Sequence, residues 1–191
     1  MPVPVKRCLN FLMLAGILWN CLGCSTLKIN SPADRLAASN FRDWSPEFTK
    51  VAEMQRVGSR VRIKNIRNNE YVSEKDFVVE HYDREFELDD IRSVDFIVVP
   101  FNDAPLLAHT MLSFGLTDKT QLVVSAEIRT EKGEEYSPVL GLGRQYELAY
   151  VVADERDVIR LRTHHRDAKV YVYPTKATAR QAQKLFVDMM E

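Results

Sequence analysis

Residues 94–101 have the sequence Val-Asp-Phe-Ile-Val-Val-Pro-Phe, an apolar run that predicts a buried β-strand. Two more apolar segments follow at residues 109–116 and 121–130, and the polar pair Asp118 and Lys119 between them predicts a hairpin. These strands follow one another without the regular strand–helix alternation of a parallel sheet. They therefore indicate an α+β fold with a mostly antiparallel sheet and flanking helices.

Shorter segments on either side of this hairpin extend the sheet. Residues 58–66 alternate apolar Val61 and Ile63 with basic Arg60 and Arg62, which is the period of a half-buried strand. By the same criteria further strands are predicted at residues 77–82, 84–88, 146–152 and 170–173.

Two helices are expected beside the sheet. Ser45 followed by Pro46 is a helix-start pattern, so one helix should begin there and fade near Met54. The clearer helix spans residues 178–190 and has an apolar face formed by Ala182, Leu185, Phe186 and Met189. Residues 154–162 fit neither the helical nor the strand period cleanly, and the acidic residues at their start favour a turn and helix cap.

The first 23 residues predict a signal peptide. Lys6 and Arg7 precede an apolar run over residues 8–22, which is shorter than a membrane-spanning helix needs. Gly23 before Cys24 resembles a bacterial lipobox, and the resemblance implies cleavage after Gly23 and lipidation of Cys24.

Two residues beside Gly23 and Cys24 also bear on the lipobox resemblance. Cys21 stands where a Leu is usual, and Ser25 resembles lipoproteins that are sorted to the outer membrane. An uncleaved N-terminal anchor is the alternative. With cleavage, residues 24–40 form a tether and residues 41–191 form the domain, on the periplasmic side of the envelope.

Cysteine content limits the chemistry of this domain. The chain has three cysteines, Cys8, Cys21 and Cys24, all in or beside the leader. After cleavage only the lipidated Cys24 would remain, so we expect no disulfide, no thiolate nucleophile and no cysteine metal site in the mature chain.

Composition excludes several classes of protein. The chain has 191 residues, of which 46% are hydrophobic and 28% charged, with a net charge of −1. These values argue against a disordered chain, a coiled coil and a polytopic membrane protein. No basic block suggests a nucleic-acid partner, and the lipid on Cys24 rather than a basic patch would hold the protein at the membrane.

His109 is the main candidate for chemistry, because it lies in an apolar strand where an imidazole could accept a proton near neutral pH. The alternative is a core histidine with both ring nitrogens satisfied. None of the four histidines has zinc-ligand spacing, and the chain has no Gly-rich phosphate loop. We expect neither a metal nor a cofactor.

Two polar clusters interrupt apolar segments. Ser125, Glu127 and Arg129 alternate with apolar residues and should share one face of the sheet, and Arg144 and Glu147 lie further along the chain. Charges buried in a sheet must be paired, so Arg129 or Arg144 could bind Glu127 or Glu147. A solvated face with surface ion pairs is the alternative.

Six segments together resemble the Lnb N-terminal periplasmic domain family, named after a lipoprotein N-acyltransferase. The resemblance extends in order from about residue 41 to residue 191 and rests on residues 42–46 (Arg-Asp-Trp-Ser-Pro), 65–68 (Asn-Ile-Arg-Asn), 109–115 (His-Thr-Met-Leu-Ser-Phe-Gly), 125–129 (Ser-Ala-Glu-Ile-Arg), 144–148 (Arg-Gln-Tyr-Glu-Leu) and 153–162 (Ala-Asp-Glu-Arg-Asp-Val-Ile-Arg-Leu-Arg).

This family is similar to permuted papain-like acyltransferases and lipid hydrolases, in which the histidine precedes the cysteine. The resemblance implies His109 as general base and a lipid or lipoprotein substrate. It also marks polar positions without assigned roles, which are Ser113, Glu127, Arg129, Arg144 and Glu147.

The sequence departs from the family pattern after its last helix. Family members continue into an Asn-Cys segment that supplies the nucleophile, whereas this sequence ends at Glu191 and has no cysteine after Cys24. Ser113 cannot replace that cysteine, because four residues along a strand separate it from His109 by about 13 Å. Two hypotheses remain: an acyltransferase-like or hydrolase-like domain whose nucleophilic cysteine is lost by truncation of the chain, and a non-catalytic outer-membrane lipoprotein that serves as a binding or structural module.

Overall fold

The computed structural model describes residues 39–102, 104–134 and 146–191. Its main element is a mixed, mostly antiparallel sheet. Its longer strands follow the apolar segments of the sequence, with β6 at Ile91–Phe101, β7 at Ala104–Leu116 and β8 at Gln121–Arg129. The other strands are β1 (Glu53–Val57), β2 (Arg60–Arg67), β3 (Glu70–Tyr71), β4 (Phe77–Val78), β5 (His81–Glu87), β9 (Glu147–Asp154) and β10 (Tyr171–Pro174).

The main sheet has the order β1-β2-β9-β8-β7-β6-β10, and β5 also pairs with β2. Neighbouring strands are antiparallel except at Arg67, which pairs with Ala153 of β9 in parallel. A separate small hairpin joins β3 to β4. The predicted α+β class with a mostly antiparallel sheet is confirmed.

Helices lie on both faces of the sheet. The short helix α1 (Glu155–Arg160) continues into a π-helical turn at Leu161–His165, and both pack on the face that carries Met111, Val123 and Ala153. The longer helix α2 (Ala179–Met190) packs on the opposite face. Each face therefore has its own apolar core.

The larger core lies under α2. Phe186 of this helix is fully buried and contacts the rings of Phe86 and Phe114 at centroid distances of 6.0 and 5.1 Å. Edge-on aromatic pairs of this kind add about 0.5–1.5 kcal/mol to the burial of their surface. Thr178 and Gln181 cap the helix start reciprocally, which fixes where α2 begins.

The prediction of a helix from Ser45 to about Met54 is wrong. Ser45 begins only one 3₁₀ turn at Pro46–Phe48, and Glu53–Val57 is strand β1. Met54 pairs with Ile63 and packs against the larger core, so sheet pairing and burial override the local helix-start pattern. Residues 77–88 form the short β4 and one continuous β5 rather than the two predicted strands.

Candidate functional site

His109 lies on β7, a central strand between β6 and β8 rather than at the edge of the sheet. It pairs with Val99 of β6, and its side chain is on the face that carries α1. The ring Nε2 is 2.8 Å from Ser125 Oγ and 3.2 Å from Glu127 Oε1. The imidazole is thus held from one side by two residues of β8.

The hydrogen bonds assign the tautomer of this ring. Ser125 Oγ donates its proton to Glu127 Oε1 at 2.8 Å, so it can only accept from His109. Nε2 therefore carries a proton in the neutral ring, and Nδ1 carries the free lone pair. Nδ1 has no hydrogen-bond partner among the described residues.

Glu127 joins the histidine to a cation. Its Oε1 also accepts a hydrogen bond from Arg162 Nη2 at 3.1 Å. Burial acts to raise the pKa of Glu127, but the hydrogen bond and charge of His109 and the charge of Arg162 outweigh it and lower the pKa to about 2. The carboxylate is therefore ionised across the physiological pH range.

Arg162 reaches this carboxylate from the π-helical turn at Leu161–His165. Its side chain is 6% exposed and also donates to the carbonyl oxygen of Val158. Burial lowers the pKa of Arg162, and Glu127 partly opposes that effect. Only residues 161 and 162 of the ambiguous segment 154–162 lie in this turn, and residues 155–160 form α1, whose six residues are too few to show a clear period. Turns of the π-helical type are frequent at functional sites.

A second ion pair lies beside the first on the same face of the sheet. Arg67 donates to Asp157 from Nη2 at 2.9 Å and from Nε at 3.3 Å. Asp157 also accepts from the backbone N–H of Asn69 at 2.6 Å and from the hydroxyl of Tyr71 at 3.3 Å. Burial acts to lower the pKa of Arg67, but Asp157 outweighs it and the pKa is raised.

Both clusters border an open cleft of about 530 Å³. Its wall combines aromatic and charged side chains, among them Phe48, Tyr71, Phe77, Phe101, His109, Glu127, Arg162 and Arg166. The side chain of His109 is 20% exposed, which gives solvent and small molecules access to the ring. The cleft can therefore present a base next to an apolar wall.

Arg129 and Glu147 form the ion pair that the sequence suggested, with a distance of 3.0 Å. Glu147 also binds Arg42 at 2.7 Å, and the guanidinium carbons of Arg42 and Arg129 lie 4.6 and 4.0 Å from the ring centroid of Trp44. Arg129 is 2% exposed and also donates to the carbonyl oxygen of Phe48. This cluster attaches the start of the described chain to the sheet.

Ser113 is not part of the His109 cluster. It is fully buried, and its hydroxyl lies within hydrogen-bond distance of acceptor oxygens on Glu155 and Gln121, so it joins β7 to α1. Ser125 contacts His109 but is only 1% exposed. Arg144 and Cys24 lie outside the described residues.

The structure adds Arg162, Arg67 and Asp157 to the residues expected from sequence. Alternation placed Ser125, Glu127 and Arg129 on one face correctly, yet it could not identify the partner of Glu127, which is a π-helical residue 35 positions away. Charged residues are frequent throughout residues 154–162, so neither Asp157 nor Arg162 stood out as a site residue.

Within the described ranges, no group of three or more histidine, cysteine, aspartate or glutamate residues could hold a metal ion. Neither helix in those ranges has the length and hydropathy needed to cross a bilayer.

Comparison with known proteins then identifies the fold family. The model of the Lnb N-terminal periplasmic domain matches residues 78–191, more than half of the chain. The chain belongs to the Lnb N-terminal periplasmic domain family. Membership indicates a periplasmic location, and the matched region contains His109, Glu127 and Arg162. Searches of curated proteins and of solved structures found no significant match.

Proposed function

We propose that this member of the Lnb N-terminal periplasmic domain family is a lipid-anchored protein whose His109 is the general base of an acyl-transfer or hydrolysis reaction on a lipid or lipoprotein. One observation carries the proposal. The hydrogen bonds to Ser125 and Glu127 place the proton of the neutral ring on Nε2, so that Nδ1, which no described residue binds, is the basic nitrogen of a ring that borders an open cleft.

The chemistry needs a nucleophile that residues 25–191 do not contain as a cysteine. A cysteine from outside this range would give its proton to Nδ1 of His109, and the thiolate would attack the acyl carbonyl carbon. The leaving alcohol or amine would then recover the proton from the imidazolium. Glu127 would stabilise that imidazolium, because it is ionised and 3.2 Å from Nε2.

The lipid anchor rests on the Gly23-Cys24 sequence at the end of the apolar leader. Lipidation of Cys24 would hold the domain at the membrane, and Ser25 favours the outer membrane. The intact mass of the protein from its native membrane fraction tests this part directly. A mass without an acylated Cys24 would contradict the anchor but not the role of His109.

The catalytic part is tested on the protein purified from native membranes, with a fluorescent phospholipid as acyl donor and water or an amine peptide as acceptor. His109→Ala should reduce turnover about 10²–10⁴-fold, the usual contribution of a general base. His164→Ala is the matched control, since this exposed histidine contacts Thr163 and not the cleft. Unchanged turnover in His109→Ala, with circular dichroism like wild type, would contradict the proposal.

A non-catalytic binding or structural module is the second candidate. It is favoured by the burial of Ser125, because the hydroxyl that contacts His109 cannot reach a substrate. For a module, wild-type protein should give no turnover above that of His109→Ala, while the variant should still change thermal stability.

A further inference from the structure

One end of the sheet lies beside the cleft. Strands β6, β7, β8 and β9 are antiparallel neighbours, so the end of β6 lies beside the beginning of β7, and the end of β8 beside the beginning of β9. At this end of the sheet, which we call the cleft end, the strand termini are Phe101, Ala104, Arg129 and Glu147. Phe101 and His109 line the cleft. A group placed at the cleft end is therefore close to the candidate base.

The described chain begins at the cleft end. The backbone N–H of Ser39 donates to Glu147 at 3.2 Å, and the carbonyl oxygen of Ser39 accepts from Arg129 at 3.3 Å. Both partners share the face of the sheet that carries Glu127. Phe48, nine residues further along the chain, lines the cleft itself. The start of the described chain is thus on the same side of the sheet as the candidate site.

The most exposed large apolar side chains of the described residues also lie at the cleft end. Phe41 and Leu106 are each 98% exposed, more than any other large hydrophobic side chain in the described ranges. Leu107 is 63% exposed and Phe101 is 46% exposed. We call these four residues the apolar rim. Large apolar side chains that gather at one place without a cover mark an interaction site.

The leader of the chain indicates what covers the apolar rim. A lipid on Cys24 would be joined to Ser39 by 15 residues, a span of at most about 50 Å. This tether would keep a bilayer close to the cleft end at high effective concentration. Apolar side chains are stabilised when they leave water for the acyl boundary of a bilayer. Positions 101–107 contain a single charged residue, Asp103, so the contact would depend on apolar side chains and not on basic ones.

We propose that the apolar rim inserts into the membrane surface and turns the cleft towards the bilayer. The inference rests on the proposed anchor at Cys24, and it deepens the proposed function because it brings His109 to its lipid substrate. Leu107 precedes His109 by two residues on β7, which separates them by about 7 Å. Contact should persist at high salt, because apolar side chains carry no charge to be screened.

The experiment uses the protein from native membranes, reconstituted in phosphatidylcholine vesicles with and without brominated acyl chains. Since no cysteine follows Cys24, Phe41→Cys and Leu106→Cys each create one site for a fluorescent label in the domain. Wild-type protein treated with the same reagent gives the background from the leader. Tyr173→Cys is the control on the face opposite His109, where Tyr173 is 52% exposed, and Thr117→Cys is the control at the other end of the sheet.

We expect brominated lipid to quench the labels at 41 and 106 at least twofold more than the labels at 173 and 117, with no change in 0.5 M salt. Equal quenching at all four positions, or the strongest quenching at 173, would overturn the proposal. If the labels at 41 and 106 instead respond to protein concentration without lipid, a second copy covers the rim, and the proposal also fails.

A second variant tests whether the rim acts as a unit. In the labelled Phe41→Cys protein, Leu107→Ser should reduce quenching at position 41 by at least half. Leu148→Ser is the matched control, because Leu148 is 72% exposed on the opposite face. If Leu107→Ser changes the quenching no more than Leu148→Ser does, the rim does not contact the bilayer as proposed.

The anchor and the catalytic role are scored separately from the rim. Acylated protein with unquenched labels at 41 and 106 contradicts only the rim, whereas quenched labels on unacylated protein contradict only the anchor at Cys24. Turnover in His109→Ala decides the catalytic proposal, and the quenching of the labels does not depend on it.

Discussion

The two ion pairs beside the cleft differ in how many hydrogen bonds their carboxylate oxygens accept. Asp157 accepts hydrogen bonds on both oxygens, from Arg67, Asn69 and Tyr71, and its side chain has no exposed surface. Glu127 receives its hydrogen bonds on Oε1, from Ser125, His109 and Arg162, and is 21% exposed. Both carboxylates lie over the same face of one sheet, yet only Glu127 can accept a further hydrogen bond.

This difference separates structure from chemistry. A carboxylate with every lone pair occupied stabilises one arrangement and has no atom left for a ligand. In the Glu127 cluster, Nδ1 of His109 has no partner among the residues that the structure describes, and the ring borders the cleft. The number of hydrogen bonds that each carboxylate already accepts, and not its burial or charge alone, therefore distinguishes the structural Arg67–Asp157 pair from the candidate site at Glu127.

Removal of Asp157 should have the largest effect on stability. Asp157→Ala leaves Arg67 buried at 5% exposure without its partner, which should lower the free energy of unfolding by about 3–5 kcal/mol. Urea unfolding followed by circular dichroism measures the loss. The double variant Arg67→Leu with Asp157→Leu should recover part of it, and an equally unstable double variant would show that the ion pair is not the cause.

Glu127→Gln should have a smaller effect that depends on pH. The amide keeps one acceptor oxygen but loses the charge opposite Arg162, so stability at pH 7 should fall by about 1–3 kcal/mol. The pKa of Glu127 is lowered from 4.5 to about 2, so the carboxylate contributes fully above pH 4.5. Its contribution is lost as the pH falls towards 2.

Unfolding of wild type and Glu127→Gln should therefore converge between pH 4.5 and pH 2. The two proteins are compared by urea unfolding at each pH in buffers of equal ionic strength. A stability difference that stays constant down to pH 2 would mean that the charge of Glu127 does not stabilise the folded protein.

The two serines should show the smallest stability effects and the clearest contrast in function. Ser113→Ala and Ser125→Ala each remove a buried hydroxyl, at a cost of about 1 kcal/mol. Only Ser125→Ala should alter the His109 ring, because Ser113 contacts Glu155 and Gln121 instead. Nitrogen-15 spectra of the imidazole provide the measurement, and an equal change in both variants would contradict the assigned hydrogen bonds.

Sequence reasoning located the strands well because their apolar runs and alternation are local signals. It placed His109 in a strand and put Ser125, Glu127 and Arg129 on one face, as the structure shows. The Ser45 pattern failed because residues 53–57 pair with β2, which is a non-local interaction. The local sequence pattern could not show that strand pairing would prevail over the helix start at Ser45.

The candidate site was only partly predictable for the same reason. The Arg162–Glu127 contact depends on a π-helical turn, and the Arg67–Asp157 pair joins residues 90 positions apart. Charged residues inside apolar segments indicated that partners must exist, but their identity depends on tertiary packing. The roles of His109 and the other site residues stay predictions.

The pairing of β2 with β5 and β9 indicates that the folding unit extends beyond the region of the family match. That match begins at residue 78, after β2 and Arg67. A chain trimmed to residues 78–191 would lose the strand beside β5 and the cation opposite Asp157. We therefore expect such a fragment to fold only when β1 and β2 are supplied as a separate peptide, so that evolutionary and physical domain boundaries differ in this protein.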